Sequence, residues 1–368
     1  MAQSDSADRG EVDTRYMRMA LRLALRGAGR TSPNPMVGAV LARGGEIIAT
    51  GYHRRAGTDH AEIVALKRAG GRARGATLYL NLEPCSHFGR TPPCADAAIR
   101  AGVKRVVIGM ADPNPLVSGR GIRKLRQAGI RVHVGLLSEE CRSLNEAFCK
   151  YITRRCPFVI LKLAASLDGK TATATGDSQW ITDKPARRYV HRLRNQVDAV
   201  LVGAGTVIAD DPQLTCRIPG GRNPLRVVVD GRLRIPTTAR LLREPGKSVV
   251  VTGSRALSRK VRAIKRCGAE VWRFPLRDGG VPFTFLLREL GKRGIVSVMI
   301  EGGAATAARA MKEKVVDQLC LFYAPQIVGG DGKSMMEALG ITKMGRSLRI
   351  KNVGVQRIGR DILVTGYL

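Results

Sequence analysis

The sequence predicts two α/β domains in series, and three observations carry this prediction. Short runs of aliphatic and β-branched residues alternate along the whole chain with stretches that repeat apolar residues at helical spacing. The 368 residues suffice for two domains that each bury a core. The alternation restarts at Cys156-Pro157, directly after the charged pair Arg154 and Arg155. We therefore predict domains over residues 1–150 and 151–368.

The first domain begins with a predicted amphipathic helix over residues 14–26, in which Met17, Ala20, Leu21 and Ala24 share one face. The later predicted elements are strands at 37–41 and 46–49, a helix at 60–69, a strand at 77–82, a helix at 95–101, a strand at 105–108, a helix at 121–127, a strand at 131–134 and a helix at 139–150. This order is a β-hairpin followed by βα repeats, which is typical of an α/β domain.

The second domain repeats the alternation without an internal repeat. Strands are predicted at 158–163, 199–202, 225–229, 248–251, 270–272, 296–300, 318–323 and 361–365. Helices are predicted at 184–195, 258–265, 283–290 and 304–311. Glu301-Gly302-Gly303, which follows the strand at 296–300, suits a turn in which backbone N–H groups approach a phosphate, although a packing turn is the commoner explanation of such a segment.

The composition is that of a globular protein, with 44% hydrophobic and 25% charged residues. The longest uncharged apolar run, Ala199 to Ala209, is too short to cross a bilayer, and the polar N-terminus MAQSDSADRGEVD has no secretory or transit pattern. We therefore expect a cytoplasmic protein without a membrane partner. The eight irregularly spaced cysteines do not form a disulfide framework.

The charge is strongly basic, because 62 Lys and Arg residues face 30 Asp and Glu residues. The net charge of +32 is spread over both domains and forms no detachable tail. Two interpretations remain open: an Arg-rich surface that also attracts small phosphorylated molecules, or a polyanionic partner such as a nucleic acid.

A metal site is predicted from His60-Ala61-Glu62 together with Pro84-Cys85 and Cys94. One imidazole and two thiolates are a catalytic zinc set that leaves a fourth position open, and helix N-termini favour the thiolates. Glu62, two residues after its histidine, suits proton transfer at the metal rather than ligation. H-x-E followed by P-C and a second Cys is the signature of zinc deaminases. The alternative is that His60 caps a helix and that both cysteines are core thiols.

The surrounding motifs resemble the bifunctional deaminase/reductase family of riboflavin biosynthesis. Cytidine and tRNA-adenosine deaminases have C-x-x-C, whereas this chain has the longer segment PCSHFGRTPPC, which matches that family. The other matching motifs of the first domain are PNPMVG at 33–38, GYHRRAGTDHAE at 51–62 and DPNPLVSGRG at 112–121. Those of the second domain are KLAASLDGK at 162–170, SQWIT at 178–182 and GAGTVIADDPQLTCR at 203–217. In this segment His87 is open between a substrate contact and a surface role.

The resemblance implies a cytidine-deaminase-like α/β/α domain followed by a dihydrofolate-reductase-like α/β domain, with Zn²⁺ and NADPH as cofactors and a homo-oligomeric state. It implies that Ser178, Arg194, Leu214, Arg217 and Glu301 bind the substrate of the reductase. It implies that Ala164, Trp180, Thr206, Asp210, Gly303, Ala304, Ala305 and Thr306 line the NADPH site, where the family usually has Leu at the position of Thr306. Asp210 would also assist at the reacting ribose, although Asp210-Asp211-Pro212 by itself suits a turn.

We therefore expect two consecutive reactions on a phosphorylated pyrimidine: zinc-dependent deamination with Glu62 as the proton carrier, then NADPH-dependent reduction. A nucleoside or tRNA deaminase with an accessory nucleic-acid-binding domain is the alternative, and the net charge favours it. A deaminase-like binding module would predict a damaged site, whereas all four metal and proton-transfer positions are intact.

Overall fold

The structure, a computed structural model, describes residues 2–86, 93–115 and 117–368. The chain divides into two compact units, residues 1–155 and 156–368. Each unit is an α/β structure with its own sheet and core, as the sequence predicts. In the described part of the chain, no helix has the length and apolarity needed to cross a membrane.

The first unit is built on a five-stranded sheet in the order β2-β1-β3-β4-β5. Its elements are α1 (Ala2–Leu25), β1 (Gly38–Arg43), β2 (Glu46–Tyr52), α2 (Ala61–Ala69), β3 (Thr77–Leu82), α3 (Cys94–Arg100), β4 (Arg105–Met110), α4 (Arg120–Gln127), β5 (Arg131–Val134), α5 (Ser138–Leu144) and α6 (Glu146–Arg154). β1 is antiparallel to β2 and β3, whereas β3, β4 and β5 are parallel.

Two glycines let helices approach the hairpin closely. A Cβ at Gly38 would lie 2.0 Å from the Ala20 carbonyl oxygen of α1, and a Cβ at Gly51 would lie 2.3 Å from the Ala61 carbonyl oxygen of α2. Only glycine allows these contacts without displacement of the backbone. The close fit of α2 against β2 fixes the start of α2, where the predicted metal ligand His60 is the N-cap residue.

The predicted helix at 139–150 is wrong in one respect, because the structure has two helices there, α5 and α6. Asn145 separates them with φ −113°, outside the helical region. Its side-chain Oδ1 accepts from Met36 N at 2.8 Å, and its Nδ2 donates to Met36 O at 3.0 Å. The side chain thus binds the loop before β1, a partner more than 100 residues away in sequence that local periodicity does not reveal.

The second unit contains a nine-stranded sheet in the order β11-β10-β9-β8-β12-β6-β13-β16-β15. Its strands are β6 (Phe158–Ser166), β7 (Lys170–Ala172), β8 (Ala199–Gly203), β9 (Leu225–Val229), β10 (Ser248–Gly253), β11 (Glu270–Phe274), β12 (Ser297–Glu301), β13 (Gln318–Ala324), β14 (Lys333–Ser334), β15 (Lys351–Ile358) and β16 (Asp361–Tyr367). Its helices are α7 (Lys184–Gln196), α8 (Ala204–Asp210), α9 (Arg240–Arg243), α10 (Ser258–Arg266), α11 (Phe283–Lys292) and α12 (Ala304–Lys312).

Strands β6 and β8 to β13 are parallel, and β16 and β15 extend the sheet antiparallel at one edge. The sequence prediction lacked β7, α8, α9, β14 and β15. The seven residues of α8 include a glycine and follow a glycine, which is why they suggested a turn. β15 is exposed along nearly its whole length, so its residues have no hydrophobic alternation to reveal a strand.

Candidate active sites

The three predicted metal ligands converge in the first unit. His60 Nδ1 lies 3.3 Å from Cys94 Sγ and 3.8 Å from Cys85 Sγ, and all three ligand atoms lie within 4.8 Å of one another. A tetrahedral zinc with ligand bonds of about 2.0–2.3 Å requires separations of roughly 3.5 Å between its ligands. The two distances from the imidazole to the sulfurs are close to this value, so the three side chains suit three corners of a zinc tetrahedron.

The fold supplies the ligands from three places. His60 precedes α2, Cys85 follows β3, and Cys94 is the first residue of α3. The N–H of Cys94 donates to Cys85 Sγ at 3.3 Å, so the start of α3 stabilises negative charge on that sulfur. Contact with Cys94, and to a smaller extent contact with His60, lowers the pKa of the Cys85 thiol to about 4. Contact with Cys85 and burial raise the pKa of the Cys94 thiol. A divalent cation between them would stabilise both thiolates.

Glu62 lies beside the three ligands and is 3% exposed. Burial raises the pKa of its carboxyl to about 7, and its Oε2 has no hydrogen-bond partner within the described residues. A buried carboxylate oxygen without a partner costs free energy unless a ligand or a water satisfies it. The unsatisfied oxygen and the N,S,S donor set together fit a metal site with a bound water at its open position.

A cavity of about 500 Å³ opens onto Glu62 and two of the ligands, and we call it the deaminase cavity. Its wall contains polar residues to which the sequence analysis assigned no role, namely Asn34, His53, Asp112 and Asn114. His53 Nδ1 lies 3.1 Å from the Asp59 carbonyl oxygen, so this nitrogen carries the proton and Nε2 accepts from Asn34 Nδ2 at 3.2 Å. Burial also lowers the pKa of His53, so the ring is neutral. His87 lies outside the described residues, as does the rest of 87–92.

Glu83 shapes the same cavity through the backbone. Its Oε2 accepts from the N–H groups of Asp112 and Gly119, and its Oε1 from those of Gly121 and Ile122, at 2.9–3.2 Å. One buried carboxylate therefore holds the segment that carries Asp112 and the start of α4. The only signal in the sequence for this role is that Glu83 is a charged residue at the end of the apolar strand β3.

In the second unit, Arg194 and Glu301 form a buried bidentate ion pair. Arg194 Nε and Nη2 donate to the two carboxylate oxygens at 2.7 and 2.8 Å, and Nη1 donates to the Thr215 carbonyl at 3.0 Å. Burial opposes ionisation of Glu301, but Arg194 lowers the pKa of the carboxyl below its usual range. Two of the five guanidinium N–H donors remain for another ligand. The buried amine of Lys162 stands opposite Glu301 in the sheet register and received no role from the sequence.

Arg217 lies at a second cavity, of about 700 Å³, that we call the basic cavity. Its wall consists of Lys184, Arg187, Arg188, His191, Arg192, Arg217, Ile218 and Pro219. His191 Nδ1 accepts from the Arg217 N–H at 3.2 Å, and burial with the neighbouring Arg194 and Arg217 lowers its pKa to about 4. Five permanent cations in the wall make this cavity a site for anions.

The predicted NADPH residues collect where two neighbouring parallel strands end. β8 runs into Gly203 and α8, while β12 runs into Gly302, Gly303 and α12. The first backbone bond of α12 runs from Ala307 N to Gly303 O at 2.9 Å, so the N–H groups of Ala304, Ala305 and Thr306 have no partner within the helix. Nothing lies within 4 Å of a Cβ built at Gly302. An open glycine turn at this edge of a parallel sheet fits a dinucleotide phosphate.

The other predicted reductase residues lie around these two places. Leu214 is buried beside Thr215, whereas Asp210 is exposed at the end of α8, where desolvation raises its pKa. Ala164 is on β6 opposite Phe322. Trp180 is 66% exposed, with the Arg187 guanidinium 4.4 Å from its ring centre, and Ser178 is half-buried two residues before it. Within the described residues, no hydrogen bond or ring contact joins Ser178 or Trp180 to the glycine turns.

Substitution of Gly203 by alanine is expected to disturb the predicted NADPH site where β8 meets α8. The added Cβ would lie 2.3 Å from Thr306 Oγ1, so the Thr306 side chain, or the start of α12 that carries it, must move. We expect a loss of roughly 1–3 kcal/mol in the free energy of unfolding and a higher KM for NADPH. Denaturant unfolding and NADPH titration measure these effects. Because Thr306 Cβ is 3.6 Å away, the double variant Gly203→Ala/Thr306→Ala should recover most of the stability, and a double variant no more stable than Gly203→Ala would contradict this account.

Substitution of Cys94 by serine is expected to remove the metal. A neutral hydroxyl replaces one of three ligands, so zinc content should fall from about one per chain to a small fraction, with loss of deamination and retention of reduction. Metal analysis by mass spectrometry measures the content. Cys149→Ser removes a half-buried thiol outside the ligand trio and should keep its zinc. Full zinc content in Cys94→Ser would exclude Cys94 as a ligand.

Comparison with known proteins identifies the family. The chain matches the model of the cytidine and deoxycytidylate deaminase zinc-binding region over residues 10–110 and that of the RibD C-terminal domain over residues 157–364. Riboflavin biosynthesis protein RibD of Aquifex aeolicus is 46% identical, over 96% of this chain and 98% of that protein.

Solved structures agree over nearly the full length. RibD of Acinetobacter baumannii is 38% identical with a TM-score of 0.88, over 97% of this chain and 99% of that chain. A diaminohydroxyphosphoribosylaminopyrimidine deaminase/5-amino-6-(5-phosphoribosylamino)uracil reductase of Thermotoga maritima is 41% identical with a TM-score of 0.86, over 98% and 99%. The chain therefore belongs to the RibD family, the bifunctional deaminase/reductases of riboflavin biosynthesis.

Proposed function

We propose that the two reactions of this bifunctional enzyme are divided between its two units, with the residues described above as the reacting and binding groups. Unit 1–155 would deaminate 2,5-diamino-6-ribosylamino-4(3H)-pyrimidinone 5′-phosphate, and unit 156–368 would reduce 5-amino-6-(5-phosphoribosylamino)uracil. Zinc and NADPH are the respective cofactors. The observation that carries the proposal is the unsatisfied, buried Glu62 carboxylate beside the three convergent metal ligands.

In the deaminase cavity, His60, Cys85 and Cys94 would hold zinc, which activates a water near neutral pH when bound. The Glu62 carboxylate, with its pKa near 7, can both accept and return a proton under the same conditions. It would take a proton from the attacking water and pass it to the departing nitrogen. A C–O bond forms at the ring carbon, the C–N bond breaks, and ammonia leaves.

In the second unit, NADPH would when bound supply the hydride for reduction at C1′ of the ring-opened ribose. The chain's own groups would mainly position the two reactants, which is the principal protein contribution to hydride transfer. Arg217 and the two free N–H donors of Arg194 would bind the substrate phosphate, and Ser178, Leu214 and Glu301 would complete the substrate site. Thr206, the 303–306 turn, Ala164 and Trp180 would line the cofactor site, with Asp210 assisting at the ribose.

Sequential assays of the purified enzyme test this division. Ammonia release from the diaminopyrimidine phosphate should come first, and NADPH oxidation should follow only after that product has formed. Supplied uracil intermediate should be reduced without the first step. Ammonia released from cytidine or tRNA, with no NADPH consumption, would overturn the proposal in favour of the nucleic-acid deaminase alternative.

The homo-oligomeric state and the cytoplasmic location also belong to this proposal. The edge strand β15 supports self-association, since its apolar residues Val353 and Val355 are 55% and 70% exposed. Multi-angle light scattering should give a mass above 39.8 kDa, and cell fractionation tests the location.

A further inference from the structure

We propose that Arg155 binds the 5′-phosphate of the deaminase substrate at the mouth of the deaminase cavity, which rests on the proposed deamination of a phosphorylated pyrimidine. Arg155 follows the last residue of α6 and lines the cavity together with Tyr151 and Ile152 from the preceding turn. The wall of the same cavity contains His60 and Glu62. One cavity thus joins the metal ligands to an arginine, and Arg155 itself is exposed.

The charges in the wall favour one orientation of the substrate. Among the described lining residues, Arg155 is the one lysine or arginine, whereas Glu62, Glu83 and Asp112 contribute carboxyl groups. His53 donates from Nδ1 to the Asp59 carbonyl and accepts at Nε2 from Asn34, so it adds no positive charge. A phosphate dianion would be repelled by the carboxylates and attracted by the guanidinium, whose fork suits two phosphate oxygens. The amino-bearing ring would then point towards Glu62 and the metal ligands.

The guanidinium is available for such a ligand. Within the described part of the chain, the Arg155 side chain has no hydrogen bond or ion pair, although its backbone N–H donates to the Tyr151 carbonyl at 2.8 Å. Most exposed arginines also lack a partner, so this fact gains weight only from its place in the cavity wall. Arg154, the preceding residue, is also exposed and does not line the cavity.

The backbone conformation of Arg155 identifies the substitution that tests the proposal. Arg155 is the C-cap of α6 with φ 53°, in the left-handed region where glycine is the usual helix-ending residue. A side chain at this φ is strained relative to glycine. Glycine therefore suits this backbone position, and a substitution by glycine removes the guanidinium without straining the turn.

The test compares the phosphorylated substrate with its dephosphorylated form in the full-length, zinc-loaded enzyme. Arg155→Gly removes the charge and suits the left-handed backbone, so this variant should fold with a melting temperature at or above that of the wild type. We expect its kcat/KM for the phosphorylated substrate to fall roughly 10- to 100-fold through KM, as expected for loss of a charged hydrogen bond. Its kcat/KM for the dephosphorylated form should stay unchanged.

Two further variants separate phosphate binding from a general charge effect. Arg154→Ala removes the same charge one residue away and should leave kcat/KM at the wild-type level for both the phosphorylated and the dephosphorylated substrate. Arg155→Lys keeps the charge and should retain a preference for the phosphorylated form. An equal fall for both substrates in Arg155→Gly, or no fall for either, would overturn the phosphate proposal.

The same assay distinguishes this proposal from the proposed function. A wild-type enzyme that deaminates both forms equally well would overturn the role of Arg155 and leave the deaminase assignment standing. A wild-type enzyme that releases ammonia from neither form would overturn both.

Discussion

Replacement of Glu62 by glutamine should abolish deamination while zinc stays bound and the reductase stays active. Glutamine keeps the size of the side chain but cannot accept and return a proton. The loss should be roughly 10²- to 10⁴-fold in kcat, the typical contribution of a general acid/base. Ammonia release gives the rate, metal analysis gives the zinc content, and NADPH oxidation with supplied uracil intermediate gives the second activity.

The three readouts separate proton transfer from structural damage. His60, Cys85 and Cys94 are untouched in Glu62→Gln, so the metal should remain at the wild-type level. Loss of zinc together with activity would mean that Glu62 maintains the site rather than carrying protons. Loss of both catalytic activities would show that the two units depend on each other.

Replacement of Glu301 by glutamine should cause the largest loss of stability. The substitution leaves Arg194 deeply buried without its counter-charge, and it removes the negative charge opposite the buried Lys162. Breaking a buried pair by removing one partner costs about 3–5 kcal/mol, because an uncompensated charge remains. Denaturant unfolding of the second unit measures this cost, and reductase activity should be lost with it.

A surface pair provides the matched control. Arg293 and Glu289 also form an Arg–Glu contact, at 3.1 Å, with side chains 46% and 30% exposed. Glu289→Gln should therefore change stability by less than about 1 kcal/mol. An equally small change for Glu301→Gln would contradict the buried-pair account.

The Glu301 pair also predicts the direction of a pH effect. Its folded-state pKa lies below the ordinary value of 4.5, so the stability it contributes is present above pH 4.5 and is lost as the pH falls through the lowered pKa. Unfolding measured at decreasing pH should show a smaller acid-dependent loss in Glu301→Gln, which lacks this titrating group.

Most of the regular elements could be predicted from sequence, since β8 is a continuous apolar run and helices such as α7 have one apolar face. The failures have local causes. α8 is short and glycine-containing, β15 has exposed residues on both faces, and Asn145 divides α5 from α6 through a bond to Met36. Residue propensity and hydrophobic periodicity depend on neighbours in sequence. The break at Asn145, in contrast, depends on a partner that is distant in sequence.

The structure explains only a part of the net charge of +32. The basic cavity and Arg155 use a few of the 62 basic residues. Nothing in the structure explains the remaining excess.

The sequence by itself determined the family and the two-domain α/β organisation, and it predicted His60, Cys85 and Cys94 as metal ligands with Glu62 beside them. It could do so because the chemistry of the possible ligands and the spacing of the motifs follow directly from the residue types and their order in the chain. Tertiary structure alone decided that Arg194 is bound by Glu301, that Glu83 holds four backbone N–H groups, and that Arg155 reaches the deaminase cavity. These contacts join residues 29 to 107 positions apart, or depend on a cavity wall built from several elements. Their energies arise from burial and geometry, which exist only once the chain has folded.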